Sequence, residues 1–122
     1  MSIRMLPKAQ VMTALAATGN LTSAVTNVTG MDNLVYQINV TGGTAPTGTF
    51  QAQASVDYEQ DSQGNVINAG NWVNIPSATA AITTNGSYRI PLTALPDPYI
   101  RLTYAFTSGT GTVNAFVAGK HV

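Results

Sequence analysis

Three stretches of strict period-two alternation limit this chain more than any other feature. "NLVYQINV" (33–40) alternates Leu34, Tyr36, Ile38 and Val40 with Asn33, Val35, Gln37 and Asn39. "TFQAQASVDY" (49–58) sets Phe50, Ala52, Ala54, Val56 and Tyr58 against Gln51, Gln53, Ser55 and Asp57. "YIRLTYAFT" (99–107) sets Ile100, Leu102, Tyr104 and Phe106 against Arg101, Thr103, Ala105 and Thr107. Successive side chains of a strand point to opposite faces, so each stretch offers one apolar face to a core. The segments between them carry turn chemistry: Gly64-Asn65, Asn85-Gly86, Pro96-Asp97-Pro98 and Ser108-Gly109-Thr110-Gly111.

These signals predict further strands. "WVNI" (72–75) reads as a short one ended by Pro76, and "YRIPL" (88–92) as an edge strand, because Pro91 has no N–H to donate. Residues 99–120 read as two strands folded back on each other through 108–111. Val, Thr and the Gly19-Asn20 turn favour strand over 20–28, while 8–17 suits either a strand or a short helix. The expectation is an all-β fold: a single antiparallel β-sandwich, jelly-roll-like, of seven or eight short strands with an extended N-terminal arm. Residues 1–19 form the arm or a first strand and 20–122 the sandwich domain; 122 residues suffice for one core.

The outward faces raise the functional question. Charged residues are only 8% of the chain, five of each sign, against about 25% in ordinary soluble domains. A fold of this mass exposes on the order of 6,000 Å², so charges are spaced at about one per 600 Å². A standard interface patch of about 800 Å² would then cover one or two, and the desolvation penalty opposing its burial is small. The outer faces are therefore expected to be covered by a neighbouring subunit or partner. Arg101 and Thr103 on the outer face of 99–107, and Ile3, Arg4, Met5 and Leu6 in the arm, are the candidate contacts. Arg101 could also pair with Asp97 or Asp57.

The other function classes fit poorly. There is no cysteine, which excludes disulfides and thiol chemistry. His121, the single histidine, sits one residue from the end, where fraying is expected, and no serine stands in a nucleophile elbow. Five scattered cations cannot supply the phosphate contacts of a nucleic-acid binder. No stretch approaches the roughly 20 apolar residues of a membrane span, and Val11–Ala17 is too short and polar for a signal-peptide core. Asp57, Glu59 and Asp61 are weak metal candidates: oxygen-rich loops hold calcium, but an EF-hand pattern counted from Asp57 would need Gly and Glu where Ser62 and Asn68 stand. A solvated hairpin tip explains them better. The chain is thus expected to be non-enzymatic and without cofactors. Sugar binding is the alternative, with Trp72 and Tyr88 as the aromatic candidates.

The residues "GTFQAQASVDY", "GNWVNIP" and "YIRLTYAFTSGTGTVNAFVAGK" together resemble small β-sandwich virion structural proteins of tailed bacteriophages, over residues 48–120. The resemblance implies a capsid decoration, cement or head-associated protein located in the virion. It further implies a dimer or trimer that contacts the major capsid protein or other virion proteins, with an N-terminal arm reaching to a neighbour. The strand–Trp–"YIRL" order is also similar to discoidin-type sandwiches, which would favour a glycan-binding module on a virion or secreted.

Overall fold

A computed structural model describes residues 4–28, 31, 33–93 and 98–121. Its strands are β1 (Arg4–Ala16), β2 (Leu21–Thr22), β3 (Thr26–Asn27), β4 (Asn33–Thr41), β5 (Thr47–Ser55), β6 (Glu59–Gln60), β7 (Val66–Asn68), β8 (Val73–Ile82), β9 (Gly86–Thr93), β10 (Tyr99–Ser108) and β11 (Thr112–His121). Sheet A runs β1-β11-β4-β9 and sheet B runs β2-β10-β5-β8, with β3 also pairing β10. All described pairings are antiparallel. With β2 and β3 counted as one interrupted strand, these are two four-stranded sheets in the interleaved order of an eight-stranded jelly roll. The short β6–β7 ribbon is an insertion between β5 and β8.

The alternating segments supply the core. Leu34, Tyr36, Ile38 and Val40 of β4 and Val113, Ala115 and Val117 of β11 are buried, and they face Phe50, Ala52, Ile100, Leu102 and Tyr104 of sheet B. The rings of Phe50 and Tyr104 meet with centroids 4.6 Å apart. Gly48 is required beneath them, because a Cβ there would strike the Tyr104 ring. β9 lies at the edge of sheet A, where Pro91 needs no partner for an N–H.

Several expectations are corrected. β10 and β11 do not form a hairpin: β10 pairs β5 in sheet B and β11 pairs β4 in sheet A. The 108–111 link crosses from one sheet to the other, since both strands carry an apolar face that must enter the core from opposite sides. It packs on the second crossover, 42–46. Thr110 N donates to Thr44 O (3.2 Å) and Thr44 N to Thr110 Oγ1 (3.1 Å). Gly109 has φ +89° and lies so close to Ala45 that a Cβ would meet its carbonyl. Asn85 joins them by bonding both backbone groups of Gly43 at 3.0 Å.

β8 does not end at Pro76. It passes through a bulge, marked by a register shift opposite Gln51–Gln53 and by Ser77 at φ 62°, and continues to Ile82. The Gln51 side-chain amide fills the bulge, lying 3.0 Å from Ile75 O and 3.2 Å from Ala78 O. β5 stops at Ser55, so Val56 points out to solvent instead of inward.

Of the two readings for the N-terminus, Arg4–Ala16 is a strand, not an arm or a helix. Its register against β11 shifts three times, and Asn114 Oδ1 accepts from Ala14 N (2.9 Å) and Gln10 Nε2 (3.0 Å) at one of the irregularities. These bulges hide its alternation. Arg4, Met5 and Leu6 pair with His121, Lys120 and Gly119 in this register, so the backbone there is engaged within the chain. Ile3 lies outside the described residues. His121, expected to fray, is part of β11.

Candidate functional site

The outer face of sheet B is built from cross-strand rows of small and amide side chains. Thr22, Thr103, Gln51 and Thr79 form one row across β2, β10, β5 and β8; Ala105, Thr49 and Ala81 form a second; Arg101, Gln53 and Asn74 form a third. Arg101 is the single ionic group in these rows. Thr103 is half-buried and donates through Oγ1 to Gln51 O (3.1 Å). Over the whole molecule ten charged side chains share 6591 Å² of surface.

One end of this face carries an aromatic corner. Tyr58 sits between Trp72 (centroids 5.6 Å apart) and Tyr99 (4.8 Å, edge-on). The Arg101 guanidinium lies 4.5 Å above the Trp72 ring, and its Nε donates to Gln53 Oε1 (2.8 Å). Gln53 Nε2 in turn donates to Asn74 Oδ1 (2.9 Å). Trp72 Nε1 donates to Ala69 O (3.1 Å), which folds the segment before β8 under the ring. Arg101 therefore does not pair with Asp57, and Asp97 lies outside the described residues.

The two glycan candidates are not brought together. Trp72 precedes the first residue of β8, whereas Tyr88 follows its last by six residues, on β9 in the other sheet. Ten strand residues separate the two ends, about 33 Å at strand rise. Tyr88 packs against the core and donates its hydroxyl to Thr84 O (2.7 Å).

The carboxylates act as latches. Asp57 Oδ1 accepts from Asn71 N and Ser55 Oγ, and Oδ2 from Asn71 Nδ2, all at 2.8 Å. These bonds, those of Asn71 first, lower its pKa to about 2. Asp61 closes the ribbon tip by accepting from Asn65 N and Gln63 N at 2.9 Å, and it too is held below the usual carboxylate range, chiefly by Asn65. Asp57 and Asp61 thus spend their oxygens on separate turns. Among the described residues no three His, Cys, Asp or Glu side chains gather as a metal site would require. Sequence reasoning found these acids and the Gly64-Asn65 turn but missed that Asn65 and Asn71 bond the carboxylates, along with the roles of Gln51 and Asn114. In a chain rich in Asn and Gln, no spacing distinguishes a latch from a solvated amide.

On the opposite side, the outer face of sheet A holds a shallow groove of about 380 Å³ lined by Lys8, Val35, Gln37, Asn39, Phe116 and Ala118. Lys8 Nζ stands 5.4 Å from the centre of the Phe116 ring. Among the described residues no helix is long and apolar enough to cross a membrane.

No protein-family model matches the chain. No curated protein matches it in sequence. Its fold is similar to that of the SPBc2 prophage-derived protein YomS, at TM-score 0.50 and 13% identity over 92% of this chain and 93% of that one. Weaker likenesses, at TM-scores of 0.47 and 0.46, are to a chitosan-binding module of a Paenibacillus sp. IK-5 chitosanase/glucanase and to a pilus protein of Bacillus endospore appendages. The identities are 16% and 12%; the coverage is 93% of this chain and 96% of the module, and 100% of this chain and 93% of the pilus protein. At 13% identity, what is shared with YomS is the fold.

Proposed function

We propose that this chain is a non-enzymatic structural protein of a phage virion, a capsid decoration or cement protein that stabilises the head by lying across subunit junctions. The observation that carries the reading is the outer face of sheet B, three cross-strand rows with Arg101 as their only charge. Covering such a face removes little ionic hydration, so hydroxyls, amides and methyl groups can meet a neighbour at low cost. The resemblance over residues 48–120 directs the reading to a virion, and the prophage origin of the YomS fold agrees with it. A protein that binds the assembled lattice but not separated subunits stabilises the lattice by mass action, the more so if it binds through several copies.

The test is particle stability. Heads lacking the protein should release DNA at lower temperature, and adding it back should restore resistance; equal stability with and without it rejects the cement role. Electron microscopy of particles carrying a tagged copy should locate it on the head surface.

Glycan binding is the second reading. It is favoured by the half-exposed Trp72 beside the Gln53–Asn74 amide pair. Trp72→Ala should then abolish sugar affinity with the sandwich intact, and silence of the native protein on a broad glycan array dismisses it.

A further inference from the structure

The exposed large apolar side chains of the described residues all lie in or beside one insertion. Val66 (58% exposed) and Ile67 (66%) lie in the β6–β7 ribbon, and Val56 (72%) and Val73 (68%) flank it. A short two-stranded ribbon is marginally stable by itself. Here Asp57 and Asp61 latch its base and tip, so the apolar residues are held in a fixed shape. The same ribbon carries Glu59, giving it three negative charges and no positive ones.

The charge distribution elsewhere is its complement. Four of the five cationic residues, Arg4, Lys8, Arg89 and Lys120, lie on strands of sheet A. Within the ribbon, Asp57 and Asp61 bond amide, hydroxyl and backbone donors and not cations. The groove on sheet A offers what the ribbon lacks: an apolar floor of Val35, Phe116 and Ala118 with the Lys8 ammonium over the Phe116 ring. The ribbon belongs to the sheet B side of the sandwich and the groove opens on the outer face of sheet A. One surface therefore meets the other between molecules.

We propose that the β6–β7 ribbon of one copy docks in the sheet A groove of a second copy, with Ile67 on the apolar floor and Glu59 facing Lys8. The contact joins two different surfaces, so it is heterologous and builds a ring or a chain of copies instead of a two-fold dimer. It goes beyond the proposed virion role, because it depends on the surfaces of this chain alone and would hold equally for a glycan-binding protein.

Sedimentation velocity of the purified full chain tests it. The native protein should associate as concentration rises. Ile67→Asp, at an exposed position, should weaken association on the order of a hundredfold with an unchanged melting curve. Lys8→Glu and Glu59→Lys should each weaken it about fivefold, and the two combined in one chain should regain native affinity. Mixing the Ile67→Asp chain, which keeps its groove, with an Ala118→Glu chain, which keeps its ribbon, should give a one-to-one complex that grows no further. A native chain that stays monomeric at millimolar concentration overturns the proposal. So do an Ile67→Asp chain that assembles as the native one does, a double charge swap without rescue, and a mixture that remains monomeric.

Discussion

The Arg101 guanidinium stacks 4.5 Å above the Trp72 ring while its Nε bonds Gln53, so one side chain of β10 ties β5 to the segment that enters β8. The tryptophan is thus a fastener for the 56–72 insertion, with the Tyr58 ring 5.6 Å from its own. Trp72→Ala removes the cation–π contact and one aromatic pair, and should cost about 2 kcal/mol, or roughly 5–8 °C in melting temperature. Arg101→Lys keeps the charge but loses the planar stack and the Nε bond, so thermal melting should place it between the native protein and Arg101→Ala.

Acid should loosen the same insertion through Asp57. Its pKa is lowered to about 2 by Asn71 and Ser55, so it binds a proton less readily folded than unfolded. The contribution is complete above the ordinary carboxylate pKa of about 4 and is lost as pH falls towards 2. Urea midpoints between pH 5 and pH 2 should decline in the native chain, and Asp57→Asn should flatten part of that decline.

Alkali acts on the core through Tyr36. Burial pushes its hydroxyl well above the usual tyrosine range, which the nearby Thr26 tempers without a well-formed hydrogen bond. The unfolded chain ionises near pH 10 and the folded one does not, so stability present below pH 10 is lost as pH rises past it. Tyr36→Phe should remove that component from a pH series of denaturant melts.

The Tyr104 hydroxyl is buried without a partner. Tyr104→Phe should leave stability unchanged or raise it by about 1 kcal/mol. Gly48→Ala, directly beneath the same ring, should cost about 3 kcal/mol, because the ring has to move out of a packed core. Chemical denaturation of both variants checks the pair together.

Gln51→Glu keeps the shape but removes both donors from the β8 bulge. Leaving the carbonyls of Ile75 and Ala78 without them should cost about 1–3 kcal/mol, read from the urea midpoint.

What the sequence made legible was face and period. The alternation of β4, β5 and β10 identified their buried residues as far as Ala54 and Tyr104, while Ser55, read as outward, is buried and Phe106 is only half-buried; Pro91 marked an edge. Connectivity between sheets was not legible, because a Gly-Thr-Gly link serves a hairpin or a crossover equally and only the partner strands decide. β1 and β8 were obscured by bulges, which shift the period by one residue wherever Asn114 or Gln51 fills the gap. The candidate surface was half legible: the scarcity of charge showed in composition. The segregation of charge between ribbon and groove emerged only once the topology brought Lys8, Val35 and Phe116 onto one face.

The central claim is that the ion-poor face of sheet B is covered when the protein works. Competition between native chains and an Ala81→Glu/Ala105→Glu variant for incorporation into assembling particles, quantified by mass spectrometry of purified virions, tests it most directly. Both positions point outward, so the variant should melt as the native chain does yet be depleted at least about tenfold from particles. Equal incorporation of the two chains, or absence of both from the virion, would contradict the account.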